Sequence, residues 1–460
     1  MIGAQQVVDL ALAEARRLGR ADETIVLVTD RVDAALRWAN NTMTTNGEST
    51  SRTTTVISIV RQGDKARVGA VRSSSVDPAV IAGLVLASQQ AAAAAPHARD
   101  AAPALPAGDA PADWDAAIPG TGAEVFLGVA GELARGFRGS DTLFGYARHV
   151  VETTFVATSG GLRRRFTQPT GSVEINAKRA GASAWVGIST PDFGSVPTAS
   201  LLDELATRLS WARRIIDLPA GRYETIMPPS TVADMMIYLA WTMGGRAAQE
   251  GRTALAAPGG GTRVGETLTS LPLTLYSDPA ATGLECAPFV AVSSSSERAS
   301  VFDNGLTIDR VDWIRDGVIN ALGYPRASAA EFDAPVAVGA DNLLMTGGAE
   351  NPVSLQDMIA GTERGLLLTT LWYIREVDPS VLLLTGLTRD GVYLVEDGEV
   401  TAAVNNFRFN ESPLDLLRRA TQAGVSEVTL PREWGDWATR ARMPSLRIPD
   451  FHMSSVSQAQ

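Results

Sequence analysis

Residues 228–245 read PPSTVADMMIYLAWTMGG, and their apolar side chains fall on every face of a helix rather than along one stripe. Met235, Met236, Ile237, Leu239, Ala240, Trp241 and Met243 leave no polar side for water, which predicts a helix buried inside its domain. Thr231 and Asp234 read as a T-x-x-D capping pair at its start. Elsewhere the pattern is more ordinary. Residues 4–18 carry apolar positions at helical spacing, and a second helix begins at Asp77-Pro78 and runs through an alanine tract to about residue 95. Between them, runs rich in Val, Ile and Thr over 24–43, 53–62 and 66–74 predict strands.

From 97 to 122 the pattern dissolves into Pro, Ala, Asp and Gly, which remove helix donors and disfavour burial, so this stretch reads as a linker. A second unit, 123–218, starts with a helix to about 136, continues with strands over 142–158, 162–170, 172–181 and 183–190, and ends in a helix over about 198–216. Residues 219–460 form the largest unit, with several strand and turn segments and a late hairpin whose tight turn is Asp397-Gly398. The expected fold class is α+β: a 1–96 unit and a 123–218 unit, both small, and a large mixed, sheet-rich C-terminal domain.

Composition narrows the function. With 45% apolar and 20% charged residues the chain is an ordinary globular protein, and 460 residues fit two to four units. The net charge of -11 offers no basic face for nucleic acid. The strongest basic cluster, Arg163, Arg164 and Arg165, reads as a solvated strand with an anion site as the alternative. One cysteine, Cys286, excludes an intramolecular disulfide framework, consistent with a reducing cytoplasm. The N-terminus reads as an amphipathic helix rather than an export signal, and no apolar run reaches a membrane-spanning length, so no membrane association is expected.

Candidate chemistry is sparse. His97, His149 and His452 are scattered, without the i,i+4 or C-x-x-C spacing of a zinc site. Only Lys65 and Lys178 could serve Schiff-base chemistry. There is no G-x-S-x-G or S-x-x-K, and the glycine-rich PGGGTRVGE at 258–266 departs from a phosphate-binding loop and reads as a surface loop. Glu396, Asp397 and Glu399 crowd a hairpin tip, where acids serve solubility and turn geometry. Trp372, Tyr373 and Arg375, within GLLLTTLWYIREVD, are candidates to line a substrate groove, although a half-buried strand has the same composition. A sheet edge is expected over residues 366–375.

Four segments, LPAGRYETIMPPSTVADMMIYLAW, VFDNGLTIDRVDWIRDGVI, GTERGLLLTTLWYIREVDPSVLLLTGLTRDGVYLVEDGEV and MPSLRIPDF, resemble in order and spacing the TldD/PmbA family, historically called modulators of DNA gyrase. The resemblance implies a metallopeptidase setting. In that family the TldD-type subunit is a zinc peptidase whose buried helix carries HExxxH, with a cysteine ligand near the C-terminus; the TldE/PmbA-type subunit pairs with it and lacks the motif. An ungapped comparison puts Ile237, Tyr238 and Thr242 at the His, Glu and His positions, and the segment from residue 425 has no cysteine. Ile237 has no lone pair, and a phenol with pKa near 10 is a poor base at neutral pH. No catalytic or metal-binding residue of the family therefore transfers to this chain.

The resemblance thus implies a metal-free TldE/PmbA-like subunit of a cytoplasmic heterodimer that degrades or processes unfolded, extended peptides. No cofactor is expected in this chain; zinc is expected in the TldD-like partner. The competing readings are a homodimeric, non-enzymatic peptide-binding or scaffold protein, and a hydrolase using Ser, Thr or carboxylates.

Overall fold

Asn40 and Asn41 both take left-handed conformations, with φ of 50° and 57°, so the single strand expected over 24–43 folds back on itself. Asparagine tolerates this region better than most residues, and two such residues in succession make the reversing turn of a hairpin. The computed structural model describes residues 2–75, 77–348, 352–389 and 391–458. The hairpin joins β1 (Glu23–Ala39) to β2 (Thr42–Gln62), and β3 (Lys65–Ser73) follows antiparallel to residues 54–62 of β2.

The two small units share one sheet. β1 pairs along its other side with β4 (Thr142–Thr158), which pairs with β5 (Arg163–Arg179) and then β6 (Ala182–Ser189), giving the antiparallel order β3-β2-β1-β4-β5-β6. The two strands expected over 162–170 and 172–181 are one: Pro169 and Gly171 stay in register opposite Val151 and His149.

Side-chain alternation decides what each face of this sheet covers. On one face Val26, Val28, Val56 and Phe155 pack under helices α1 (Ala4–Leu18) and α2 (Ala79–Ala94). Farther along the same face, Ala34, Leu36, Trp38, Val173 and Ile175 pack under α3 (Leu127–Gly136) and α4 (Thr198–Trp211). The odd-numbered Ile25, Leu27, Ile57 and Ile59 point the other way, onto Phe289, Val301 and Phe302 of the C-terminal half.

The 97–122 segment lacks regular helix or strand over most of its length, yet it is tied down. Trp114 meets Phe155 edge-on at 5.3 Å, and Arg165 donates to the carbonyls of Asp113 and Ala117. Arg165 is 3% exposed in its side chain and sits over the Phe155 ring, which corrects the expectation of a solvated basic strand. Its guanidinium serves main-chain carbonyls of a segment that has no ladder of its own.

The second sheet has fourteen strands among the described residues. In chain order its early members are β7 (Ile215–Ile216), β8 (Gly221–Met227), β9 (Thr274–Ser277), β10 (Val311–Arg315), β11 (Val318–Ile319) and β12 (Leu343–Thr346). Then come β13 (Arg364–Leu368), β14 (Trp372–Asp378), β15 (Leu383–Leu387), β16 (Val392–Glu396), β17 (Glu399–Val404), β18 (Phe407–Glu411), β19 (Gln422–Thr429) and β20 (Ala441–Val456). The main path runs β11-β10-β9-β12-β20-β8-β13-β16-β17-β7; β14 joins through β15 and β18, and β19 lies on β20. The expected hairpin at Asp397-Gly398 links β16 to β17, with φ of 50° and 81° at the turn. Helix α4 stops at Trp211 rather than 216, because Ile215 and Ile216 pair in parallel with β17.

Candidate functional site

Helix α5 (Pro229–Thr242) is the element on which the sequence concentrates apolar residues, and it sits against β20, β19 and β8 with Val232, Met235, Met236, Ile237 and Leu239 in the main core. Its start is not a capping box. The N-cap is Pro228, and Thr231, already inside the first turn, donates its hydroxyl to the carbonyls of Pro228 and Leu368.

Asp234 is also inside the helix, fully buried, and it accepts the backbone N–H groups of Glu433 at 3.0 Å and Arg432 at 3.2 Å. Burial pushes its carboxyl well above the ordinary aspartate range, against the opposing pull of those backbone donors. The indole N–H of Trp434 donates to the main-chain carbonyl of the same residue at 2.9 Å. A buried acid on an apolar helix must find donors elsewhere, and here they come from the turn that follows β19.

That turn joins both halves of the molecule. Arg432 donates to Glu174 on β5 at 3.0 Å and sits 4.8 Å from the Trp185 ring and 5.1 Å from the Trp372 ring. Burial lowers the pKa of its guanidinium from the ordinary value, with Glu174 opposing. Glu433 caps the start of β14, accepting the N–H groups of Tyr373 at 3.0 Å and Ile374 at 3.2 Å and pairing with Arg375 at 3.2 Å. Trp434, Tyr238 and Trp241 form an aromatic cluster with centroid separations of 4.9 to 5.9 Å.

Ile237 is packed in the core, Tyr238 is half-buried in this cluster, and the Thr242 hydroxyl donates to the Leu239 carbonyl at 2.8 Å. Burial raises the Tyr238 phenol above its ordinary value. These three residues do not fit a zinc ion: one has no donor atom, one is a high-pKa phenol and one spends its hydroxyl proton on its own helix. Among the described residues, no three His, Cys, Asp or Glu side chains gather as a metal-binding group.

Trp372, Tyr373 and Arg375 do lie together at the start of β14. Trp372 meets Tyr373 edge-on at 6.1 Å, Arg375 lies 5.5 Å from the Tyr373 ring, and Tyr373 is exposed with a left-handed φ of 55°. The expected edge over 366–375 is two elements. Residues up to Leu368 form β13, which is interior between β8 and β16, and only β14 lies at a margin, paired on one side with β15. The break falls at residues 369–371, where buried Thr369, Thr370 and Leu371 continue the apolar run without continuing the strand.

His149 is buried, with Nδ1 2.6 Å from the Thr121 hydroxyl and Nε2 3.1 Å from the Pro191 carbonyl; His97 reaches Gln62 at 3.0 Å from the surface. Cys286 is buried, and burial pushes its thiol up to about 12. Residues 258–266 form an irregular loop with Gly259, Gly260, Gly261 and Gly265 at positive φ. No described helix is long and apolar enough to cross a membrane.

By sequence the chain matches no curated protein. It superposes on TldE from Thermococcus kodakarensis, with a TM-score of 0.77 at 16% identity over 97% of this chain and 99% of the other. A DNA gyrase modulator-type protein from Bacteroides thetaiotaomicron gives 0.76 at 16% identity over 99% and 100%. Its counterpart from Thermotoga maritima gives 0.73 at 14% identity over 98% and 100%. At such identities these likenesses establish the fold. The family profile of the PmbA/TldA metallopeptidase C-terminal domain matches residues 220–455, just over half of the chain and the whole region containing α5, β14 and the Asp234 network. This chain belongs to the TldD/PmbA family.

Proposed function

We propose that this chain is the TldE/PmbA-like, metal-free subunit of a TldD/TldE-type peptidase, and that a TldD-like partner supplies the zinc and the cleavage of unfolded or extended peptides. The observation that carries the reading is the occupancy of α5: Ile237 packed in the core, Tyr238 packed at a tilt against two tryptophans and Thr242 bonded within the helix. Side chains so engaged serve the scaffold of a buried helix rather than a hydrolytic centre. The full-length structural likeness to a TldE supports the same assignment. In this role the exposed Tyr373 and Arg375 at the β14 margin contribute part of the wall along which an extended peptide lies, read mainly through its backbone.

The test is metal analysis and peptidase assay of the purified chain, alone and mixed with a TldD-like protein. Cleavage of an unfolded peptide only by the mixture, with zinc following the partner, is the expected result. Stoichiometric zinc held by this chain alone, or full activity without a partner, overturns it. The rival reading, a homodimeric peptide-binding or scaffold protein, predicts peptide binding with no gain of cleavage in any mixture.

A further inference from the structure

The face of the first sheet that carries Ile25 and Leu27 is covered at that end by Phe289, Val301 and Phe302. Farther along the same face the register sets Arg37 beside Tyr146, Phe144 beside Asn176 and Asn176 beside Trp185, and directly opposed residues of neighbouring strands share a face. Cations lie over aromatic rings along this whole stretch. The Arg37 guanidinium is 4.8 Å from the Tyr146 ring, the Lys178 ammonium 5.5 Å from the Phe144 ring, and Arg432 4.8 Å from Trp185 and 5.1 Å from Trp372. Arg432 also reaches the Asn176 side chain at 3.5 Å. The result is one band of alternating charge and aromatic surface, running from β1 across β4, β5 and β6 to the start of β14.

The charges of the band are not balanced. Asp33 is held by Arg31 and Arg148, Glu152 by Arg31, and Glu174 by Arg432 and the Trp185 indole, while Asp436 of the turn bears on Arg148. Arg37 and Lys178 are exposed, and among the described residues neither forms a salt bridge. They stand out on a chain of net charge -11 that has only two lysines. An exposed cation ordinarily loses much side-chain freedom when it binds an anion; a ring beneath it holds it in place beforehand and lowers that cost.

We propose that this band binds an extended acidic segment of a peptide, with carboxylates at alternate positions meeting Arg37 and Lys178. The inference rests on the function proposed above and names the class of substrate it favours. Its geometry is set by β4. Tyr146 and Phe144, the rings under the two cations, are two residues apart on that strand, a spacing of about 7 Å and the same as that between alternate side chains of an extended peptide. A nucleic acid also presents regularly spaced anions, but a long polyanion meets the repulsion of the whole acidic chain, and two unpaired cations cannot offset it.

The experiment uses the full chain without any partner, titrated into a fluorescein-labelled octapeptide with glutamates at alternate positions and serines between, and read by anisotropy. The glutamate peptide is expected to bind at least about tenfold more tightly than its glutamine counterpart, with an affinity that falls as salt is added. Arg37→Glu and Lys178→Glu are each expected to weaken it by about tenfold with unchanged circular dichroism, whereas Lys178→Arg and Lys65→Glu, on exposed β3, leave it intact. Equal binding of the two peptides, a Lys65→Glu effect as large as that of Lys178→Glu, or tighter binding of an oligothymidylate overturns the proposal. The readout needs no TldD-like protein, so a mixture that fails to cleave strikes the proposed function and not this surface.

Discussion

The carboxylate of Asp234 and the main-chain N–H of Glu433 are 199 residues apart in sequence and 3.0 Å apart in space. Through this bond and its neighbour at Arg432, the buried helix α5 fixes a turn whose side chains reach the N-terminal sheet on one side and the start of β14 on the other.

Removing the acceptor has a calculable effect. Asp234→Ala leaves two half-buried N–H donors without their acceptor, each worth about 1–3 kcal/mol, so a loss of about 2–6 kcal/mol is expected. Denaturant unfolding followed by tryptophan fluorescence measures it, since Trp434 lies in the affected turn. A midpoint equal to that of the wild type contradicts the role given to this carboxylate.

The same residue makes stability depend on pH. Burial holds the Asp234 carboxyl above the ordinary aspartate range, so between that range and its folded value the native state keeps a proton that the unfolded chain releases. Its contribution is full at the acidic side of this window and declines as pH rises through it. Asp234→Asn keeps an oxygen for the Glu433 N–H and cannot ionise. Its unfolding midpoint is expected to vary less with pH over that window than that of the wild type, and parallel curves contradict the assignment.

Arg432 is one of the bonds between the halves. Arg432→Ala loses a charged hydrogen bond to Glu174 and two aromatic contacts, together about 2–4 kcal/mol for a side chain still 17% exposed. Arg432→Lys is expected to recover only part of this, because an ammonium lacks the planar face that stacks on Trp185 and Trp372. Hydrogen exchange is the discriminating measurement: protection is expected to fall in β6 and at the start of β14 together. Loss confined to the turn itself indicates no coupling between the halves.

Arg165 governs the proline- and alanine-rich segment. With Arg165→Ala the carbonyls of Asp113 and Ala117 lose their donor, and the segment is expected to release from the sheet. Limited proteolysis then cuts within residues 103–120 several times faster than in the wild type, while the core fragments persist. Unchanged cleavage contradicts the role given to Arg165.

Much of this molecule is legible in local pattern. The burial of α5 follows from apolar residues on every face, the β16–β17 turn from Asp397-Gly398, and most strands of the first sheet from period-two runs of Val, Ile and Thr, because these signals act over a few residues. The Thr231/Asp234 pair lies beyond the reach of local pattern. The spacing is that of a capping box, but Pro228 and Pro229 start the helix earlier and place the acid a turn inside it. The run over 365–378 likewise reads as one strand because nothing in its composition marks residues 369–371 as a break.

What the sequence determined by itself is the class of fold, the family likeness, the buried helix α5 and the absence of donor atoms at Ile237. Tertiary structure alone decided that two units share one sheet, that β13 is interior while β14 lies at the margin, and that Asp234, Arg432, Glu433 and Glu174 meet. The physical reason is range. Propensity and periodicity are set by neighbours along the chain, whereas a buried charge is settled by whichever distant donor or acceptor the packing brings within about 3 Å.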